Sequence, residues 1–579
     1  MREPVTFVEI DQDFCAHSFG VSPCAAALGP QGKCFNTLKT CQDEVNFNPE
    51  PLTLTFSLKG QANTPGIYAI PSVMSVSTAP TVINPGGGSR QSGPLGMRAS
   101  LTVSFEDAPH SDNLVDKYAG TRGYDALNRG TFWGKWLARA PYYNNRIIRV
   151  RDGYAGQPLA EMTTRTYIID KITGPDRGKV TVTAKDMLKL ADDDKSQAPK
   201  PSNGELIIDY TAEDPITELR VTGADAGEYP APGVVRVGRE LMSYTGVTTV
   251  SETEIELTGI SRAVMGSEQK QHKLKDRVQL CLQYDGIRVD EIIYDLLTEY
   301  GSVDPDWIDY DAWQAEAGLW LQQYTFTGII TEPTGVTSLI SELAEQSLTH
   351  VWWDERQQKI LLETIKPPIY EDVPRINDSK NIISDSVKIK VEPKARVSQV
   401  WVFFGQIDPT EKITNEENFA RLRVRADLEA ESDQQYGDSN IRKIYSRWIE
   451  TEAQAINITT RLLNRFRDMP KYVTLELDSK DRHFWTGDIV DMTHIAIVDF
   501  TGEPQETRYQ IISAEEVEPG HKTEYVLEKY EYEIGLLFGR WMANNAPDYD
   551  GATEEQRFLG MWWGNVNGEQ EDGKKYLWS

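Results

Sequence analysis

Cysteine is scarce over almost the whole chain. Of 579 residues only five are cysteines, and beyond Cys41 only Cys281 remains. Such a distribution argues against thiols scattered through the core. The other four thiols, on Cys15, Cys24, Cys34 and Cys41, all lie in the first 41 residues. We therefore expect one local site there.

Long hydrophobic runs are missing as well. No window approaches the ~18 apolar residues of a membrane-spanning helix, so we expect a soluble chain. The first residues, MREPVTFVEIDQDF, show no charged stretch followed by an apolar run, so no secretory signal is predicted. A chain kept in the cytosol holds its thiols reduced, which argues against a disulfide pair.

Basic residues are in deficit. The chain has 60 Lys and Arg against 88 Asp and Glu, a formal net charge of −28. This charge repels nucleic acid, so sequence-specific binding of DNA or RNA is not expected. An acidic wall still suits a conduit through which DNA slides, although solubility alone also explains the charge.

Motifs for catalysis are lacking too. Gly86–Gly88 is not followed by the Gly-Lys-Ser/Thr of a phosphate-binding loop, and neither G-x-S-x-G nor H-E-x-x-H occurs. The seven histidines are dispersed, and the acidic run at 304–311 lacks the glycine of a calcium-binding loop. We predict that the protein is not an enzyme.

The four early cysteines have the spacing C-x8-C-x9-C-x6-C, with Pro23, Gly29, Pro30 and Gly32 bending the chain between them. Four thiolates brought together by short loops can hold a zinc ion or an iron–sulfur cluster. The paired C-x2–4-C spacing usual for zinc is not present, so the residues alone leave the metal open. Two disulfides or four unrelated buried thiols are the alternatives. His17 is either a replacement for one thiolate or a loop residue that donates a hydrogen bond to a ligand.

The length predicts two to four domains. The strand and helix patterns along the chain predict mainly β structure with α+β parts. We divide the chain into a cysteine-rich segment (1–50), a first β domain with a long loop (51–191), a linker (192–204), an inserted β module (205–285), an α+β domain with a long helix (286–534) and an aromatic extension (535–579). A run of acidic residues followed by a stretch rich in Pro and Ser indicates the linker.

Hydrophobic periodicity predicts the individual elements. Strands are expected at 51–59, 99–105, 146–150, 163–172, 179–184, 234–237, 254–257, 349–354, 359–364, 387–406, 471–477, 489–492, 508–512 and 525–530, and helices at 289–297, 337–347 and 447–467. Residues 409–440 are polar and charged, and we predict an exposed loop there.

Several stretches together resemble the tail-tip or baseplate hub proteins of long-tailed bacteriophages (siphophages) and related gene transfer particles. The C-x8-C and C-x6-C spacings match a cysteine quartet of the lambda-type tail tip that holds a [4Fe-4S] cluster, here fused to the hub. The other stretches are 233–246 with 262–278, the helix and hairpin at 337–364, and 470–492 after a long helix. The likeness covers roughly residues 1–535.

The resemblance implies two tail-tube-like β-barrels per chain, one in 51–191 and one in 287–405 with 470–532, and a homotrimer whose six barrels match a six-fold tube. It also implies that Cys15, Cys24, Cys34 and Cys41 ligate a [4Fe-4S] cluster, with zinc as the alternative. The expected role is structural, in a virion tail tip assembled from protein made in the host cytoplasm. Expected partners are the distal tail ring, a central fibre or spike and the tape measure protein, with DNA passing through the lumen and the host envelope contacted indirectly.

Two rival functions come from other classes. An iron–sulfur or zinc enzyme would need an open coordination position or a substrate pocket, and a tail-tip cell-wall hydrolase would need catalytic residues that no motif here supplies. The extension 535–579 holds Trp541, Trp562, Trp563 and Trp578, and we predict that it is an interaction element. Folding back onto its own barrel is the alternative.

Overall fold

A computed structural model describes residues 3–29, 32–62, 64–85, 94–192, 196–213, 215–322, 324–366, 373–518 and 521–530, with Gly551, Thr553 and two short strands near the end of the chain. The protein is mainly β with several separate sheets and packed cores, as predicted. Within the described residues, no helix is both long and apolar enough to cross a membrane.

The first domain is a closed β-barrel with the strand order β1-β2-β3-β4-β7-β6-β5. Its strands are β1 (Pro4–Cys15), β2 (Pro49–Leu58), β3 (Ile70–Ala79), β4 (Ser100–Glu106), β5 (Ile147–Tyr154), β6 (Thr163–Asp176) and β7 (Lys179–Lys185). Alternate residues such as Val8, Ile10 and Phe56 are fully buried in its core. Because the sheet closes on itself, this domain has no free edge strand.

A long connection, the β4–β5 loop (residues 107–146), closes over the barrel core. It contains helix α1 (Phe132–Arg139), whose first turn is capped by the Thr131 hydroxyl accepting a hydrogen bond from Gly134 N. Trp133 of α1 stacks on Phe56 with ring centroids 5.8 Å apart. The aromatic residues of this loop therefore complete the barrel core.

The predicted boundary at residue 50 differs from the structure. β1 is a barrel strand that pairs with β2 and with β5, in the registers Val8↔Phe56 and Val8↔Val150. Its apolar alternation buries Val8 and Ile10 in the core. We call residues 16–48 the cysteine loop, and its described residues, 16–29 and 32–48, lie between β1 and β2 outside the barrel strands.

The predicted linker packs against its surroundings. Strand β8 (Gln197–Ala198) pairs with β18 (Thr334–Gly335), and Val336 N donates to Ser196 O at 3.0 Å. The inserted module that follows has one sheet in the order β13-β14-β10-β9 and another in the order β12-β11-β15. Its strands are β9 (Glu205–Leu206), β10 (Glu218–Thr222), β11 (Gly233–Val237), β12 (Glu240–Tyr244), β13 (Gly246–Thr249), β14 (Glu254–Thr258) and β15 (Val278–Leu280).

Helices and hairpins form the largest core of the molecule. The helices are α2 (Val289–Asp295), continued by a π turn (Leu296–Tyr300), α3 (Tyr310–Trp320), α4 (Val336–Ser347) and α5 (Glu452–Phe466). The hairpins are β16 (Leu282–Arg288) with β17 (Thr325–Ile330), and β19 (Thr349–Asp354) with β20 (Lys359–Thr364). The predicted helix and hairpin at 337–364 match α4, β19 and β20.

The predicted second barrel is an open sheet among the described residues. Its strand order is β21-β27-β28-β29-β26-β22, so β21 and β22 are its edges. The strands are β21 (Arg375–Asn377), β22 (Lys388–Val391), β26 (Lys471–Asp478), β27 (Ile489–Thr493), β28 (Thr507–Glu518) and β29 (Lys522–Lys529). Each edge strand has only three or four residues, and no pairing joins β21 to β22 among the described residues.

A separate three-stranded sheet has the order β24-β23-β25 and packs on α5. Its strands are β23 (Gln399–Gln406), β24 (Phe419–Ala426) and β25 (Ile441–Tyr445). β24 lies inside the predicted exposed loop 409–440. The predicted extension 535–579 falls outside the described residues, apart from Gly551, Thr553 and the paired strands β30 (Trp562–Trp563) and β31 (Leu577–Trp578).

Candidate metal centre

The four early cysteines line one cavity at the end of the barrel. Cys15 is the last residue of β1, and Cys41 ends the short helical turn Leu38–Thr40, while Cys24 and Cys34 lie on the intervening loops. The cavity has an empty volume of about 340 Å³, including space open to solvent, and His17 also lines it. All five cysteines are free thiols, and these four are half-buried.

The thiols influence one another electrostatically. Burial raises the pKa of the Cys34 thiol, and the nearby Cys24 and Cys15 raise it further, against the opposing effect of Arg122. Burial likewise raises the pKa of Cys41, and the other three thiols add to this. Four thiolates would repel one another in this cavity, and a bound cation would offset that repulsion.

Backbone hydrogen bonds hold both ends of the cysteine loop on β1. Cys15 N donates to Asn36 O at 2.7 Å, and Ala16 N donates to Asn48 O at 2.9 Å. Asn36 has a positive φ of 60°, a conformation that asparagine tolerates better than most residues. These bonds bring residues that are distant in sequence to the same side of the cavity.

Arg122 joins the cysteine loop to the β4–β5 loop. It donates through Nη1 to Lys33 O at 2.6 Å and through Nη2 to Cys34 O at 2.8 Å. Its guanidinium also pairs with the buried Asp116 at 2.8 Å and lies 4.0 Å from the centre of the Phe35 ring. Arg122 thereby positions the backbone on both sides of the Cys34 thiol.

Two more contacts attach the cysteine loop to the same surface. The Thr37 hydroxyl donates to Arg139 O at 2.6 Å, and Phe19 N donates to the Tyr118 hydroxyl at 2.7 Å. None of these partners carries a sequence motif, so the sequence analysis did not single them out.

The donor set fits a thiolate-bound metal group. Four free thiols share one cavity. Among the described residues, no group of three or more His, Cys, Asp or Glu has the geometry to hold a metal ion. A group that bridges them would supply a cross-link in a loop that has little apolar core of its own. His17 lines the same cavity.

Cys281 belongs to a different environment. It is buried in an apolar cluster with Val234, Leu241 and Ile329, and burial raises its pKa to about 12. Such a thiol is a packing residue and is chemically inert.

We predict that Arg122→Ala loosens the cysteine loop without unfolding the barrel. Mutation of a residue that orients a metal ligand typically lowers metal affinity about 10–100-fold. We therefore expect a similar loss of metal affinity when the variant competes with a chelator. Amide hydrogen exchange of residues 16–48 should rise in parallel.

Arg129→Ala is the matched control, because Arg129 lies in the same loop and stacks on the Tyr124 ring at 3.9 Å. Equal metal retention in both variants would show that Arg122 has no positioning role.

No family model and no curated protein matches this chain. Among solved structures it is similar to the tail protein from Neisseria meningitidis MC58, with 11% identity and a TM-score of 0.36 over 79% of this chain and 97% of that one. It is also similar to the 43 kDa tail protein of prophage MuSo2 from Shewanella oneidensis, with 9% identity and a TM-score of 0.35 over 79% and 98%.

A third similar structure is the prophage tail protein gp18 from Listeria monocytogenes EGD-e, with 10% identity and a TM-score of 0.27 over 67% of this chain and 86% of that one. Identities and TM-scores this low carry no functional argument.

Proposed function

We propose that this chain is a structural virion protein, the hub of a phage-type tail tip that closes the tail tube and opens for DNA ejection. The observation that carries the proposal is the four-thiol cavity at the end of a closed β-barrel. The four cysteines that resemble those of the lambda-type tail tip therefore lie beside a β-barrel of the same chain. The resemblance of the later stretches to hub sequence adds to it.

The sheet edges support assembly into a ring. The barrel is closed, but the six-stranded sheet ends in β21 and β22, each of which has a neighbouring strand on one side only among the described residues. All four residues of β22 are exposed. A homotrimer would supply neighbours for such edges, and closed symmetry is the usual solution for protein oligomers.

The quartet Cys15, Cys24, Cys34 and Cys41 would hold a [4Fe-4S] cluster, with zinc as the alternative. When bound, the cluster supplies a cross-link between β1 and the three loop cysteines. Because all four thiolates would be occupied, no iron would be left open to a substrate, and the role is structural rather than enzymatic.

The partners we infer are the distal tail ring, a central fibre or spike and the tape measure protein. DNA would only pass through the lumen, and the net charge of −28 suits a wall that does not retain it. The protein would be made in the host cytoplasm and end in the virion tail tip, where contact with the host envelope is indirect.

Copy counting in intact particles tests this function. Quantitative mass spectrometry against the major tube protein, together with labelling at the tip, should find about three copies, all at the distal end. Six copies, or a location away from the tip, would contradict the hub assignment.

The same preparation spotted on purified peptidoglycan should give no clearing. Clearing would revive the hydrolase alternative.

A further inference from the structure

The first barrel packs against the rest of the chain through apolar contacts and hydrogen bonds. Trp353 of β19 donates from its indole Nε1 to the carbonyl of Thr166 on β6 at 3.2 Å. Ile83, which follows β3, donates its amide to the carbonyl of Ile512 on β28 at 2.9 Å. Ile83 and Ile512 also belong to one buried apolar cluster with Trp352. We call the contact that these residues form the barrel seam.

Two carboxyl groups are buried in the barrel seam. Asp186 directly follows the barrel strand β7 and is 1% exposed, and Glu355 directly follows β19 and is 4% exposed. The Thr81 hydroxyl, on the barrel side of the seam, donates to Glu355 Oε1 at 3.4 Å. One carboxyl group therefore lies on each side of the contact, and opening the seam would bring water to both.

The cations around the two carboxyl groups are paired with other acids. The pairs are Arg98 and Lys185 with Asp192, Arg165 with Asp152, and Arg356 with Glu516. The other titratable neighbours, Asp354 and Tyr167, carry no positive charge. Among the described residues, Asp186 and Glu355 therefore form no ion pair.

A carboxyl group that is buried without a paired cation favours its neutral form. Burial raises the pKa of Asp186 from 3.8 to about 7, against the opposing effect of Arg98. Burial likewise raises the pKa of Glu355 from 4.5 to about 7, against the opposing effect of Arg165. Each group should hold a proton while the seam is closed and lose it when water enters.

We propose that the barrel seam is a proton-controlled joint, closed while Asp186 and Glu355 are protonated and open when they ionise. The joint goes beyond the proposed hub function and does not depend on it. Its two states differ in whether the barrel stays packed against β19 and β28, while the barrel itself remains folded.

The direction of the pH dependence follows from proton binding. Between about pH 4.5 and 7, the closed seam holds protons that the open seam has released. Closing therefore becomes less favourable as the pH rises through this range, and it is least favourable above pH 7. Each carboxyl group should change the opening equilibrium about tenfold per pH unit.

Hydrogen exchange of the full chain between about pH 5 and about pH 7.5 tests the joint. The Ile83 amide reports opening because its hydrogen bond crosses the seam, whereas the amides of β4 pair with β7 inside the barrel. After correction for intrinsic exchange rates, Ile83 should lose at least about tenfold in protection per pH unit up to pH 7, while β4 keeps its protection. A constant protection of Ile83, or an equal loss in β4, would overturn the joint.

Neutral amides in place of the two carboxyl groups sharpen the result. The double variant Asp186→Asn with Glu355→Gln should keep Ile83 protected at about pH 7.5, and each single variant should lose about tenfold per pH unit of the wild-type dependence. Glu518→Gln is the matched control, because Glu518 lies exposed on β28 and pairs with Lys522 at 3.4 Å.

Protection of the β4 amides shows whether each variant is folded, and the single variants decide the question if the double variant is not. A wild-type pH dependence in folded variants would refute the role of these two carboxyl groups.

Discussion

Serine at any one of Cys15, Cys24, Cys34 or Cys41 will abolish metal binding and disorder the cysteine loop. The loop has few buried apolar side chains, and Val21, Leu28 and Val45 are largely exposed, so packing alone does not hold it. A structural metal in a small unit contributes on the order of 10 kcal/mol of folding free energy. Loss of one ligand should remove most of this contribution.

Hydrogen exchange will show the effect as fast exchange throughout residues 16–48, with metal content near zero. The barrel should stay folded, because β1 is buried against β2 and β5. Particles assembled with the variant should stop before tail completion. A loop that remains protected in all four variants would contradict the metal cross-link.

Cys281→Ser is the matched control. Its hydroxyl would enter an apolar cluster, which costs roughly 1–3 kcal/mol, while metal content stays unchanged. A simultaneous loss of metal would show that serine acts through general destabilisation.

Glu240→Ala will unfold the inserted module, and this is the second of the two largest effects that we expect. The Glu240 carboxylate accepts bonds from Arg262 Nε at 2.8 Å, Arg262 Nη2 at 2.7 Å and Lys270 N at 2.8 Å, and it contacts His272 Nε2 at 2.8 Å. Both Glu240 and His272 are buried. Breaking a buried ion pair by removing one partner costs roughly 3–5 kcal/mol, because the remaining charge is left unpaired.

The same carboxylate makes the module sensitive to acid. Burial opposes its charged form, but the hydrogen bonds from Arg262 and His272 outweigh burial and lower the pKa of Glu240 to about 2, from 4.5. A carboxyl with a lowered folded-state pKa stabilises the fold above its unfolded value, and this stability is lost as the pH falls from 4.5 towards 2. Glu240→Gln should lose that part of the pH dependence.

Thermal unfolding followed by hydrogen exchange at residues 205–280 measures both effects. Glu268→Ala is the control, since Glu268 is exposed and pairs with the nearby Lys270. Equal unfolding temperatures for Glu240→Ala and Glu268→Ala would refute the role of the buried network.

Local patterns predicted the elements whose structure depends on local periodicity. The predicted hairpin at 349–364 matches β19 and β20. The predicted helix at 447–467 matches α5, although α5 begins later, at Glu452, because Thr451 caps it. Pairings between distant strands were not predictable in this way. The predicted cysteine segment includes β1, because local patterns do not show that Val8 pairs with Val150, a residue far away in sequence.

The predicted loop at 409–440 shows why charge can mislead. Arg421, Arg423 and Arg425 suggested a solvated segment, yet β24 directs two of them onto α5. At the candidate site the four cysteines were identifiable because they cluster in sequence. Arg122 was not, since its role depends on the fold that brings it to the carbonyl of Cys34.

Metal analysis of the anaerobically isolated protein decides whether the quartet holds a [4Fe-4S] cluster. We expect about four iron atoms per chain, no zinc, and the visible absorption of a [4Fe-4S] cluster that is lost in any quartet variant. Zinc without iron would overturn the cluster, and an intact disulfide between Cys15 and Cys24 would overturn metal binding at this site altogether.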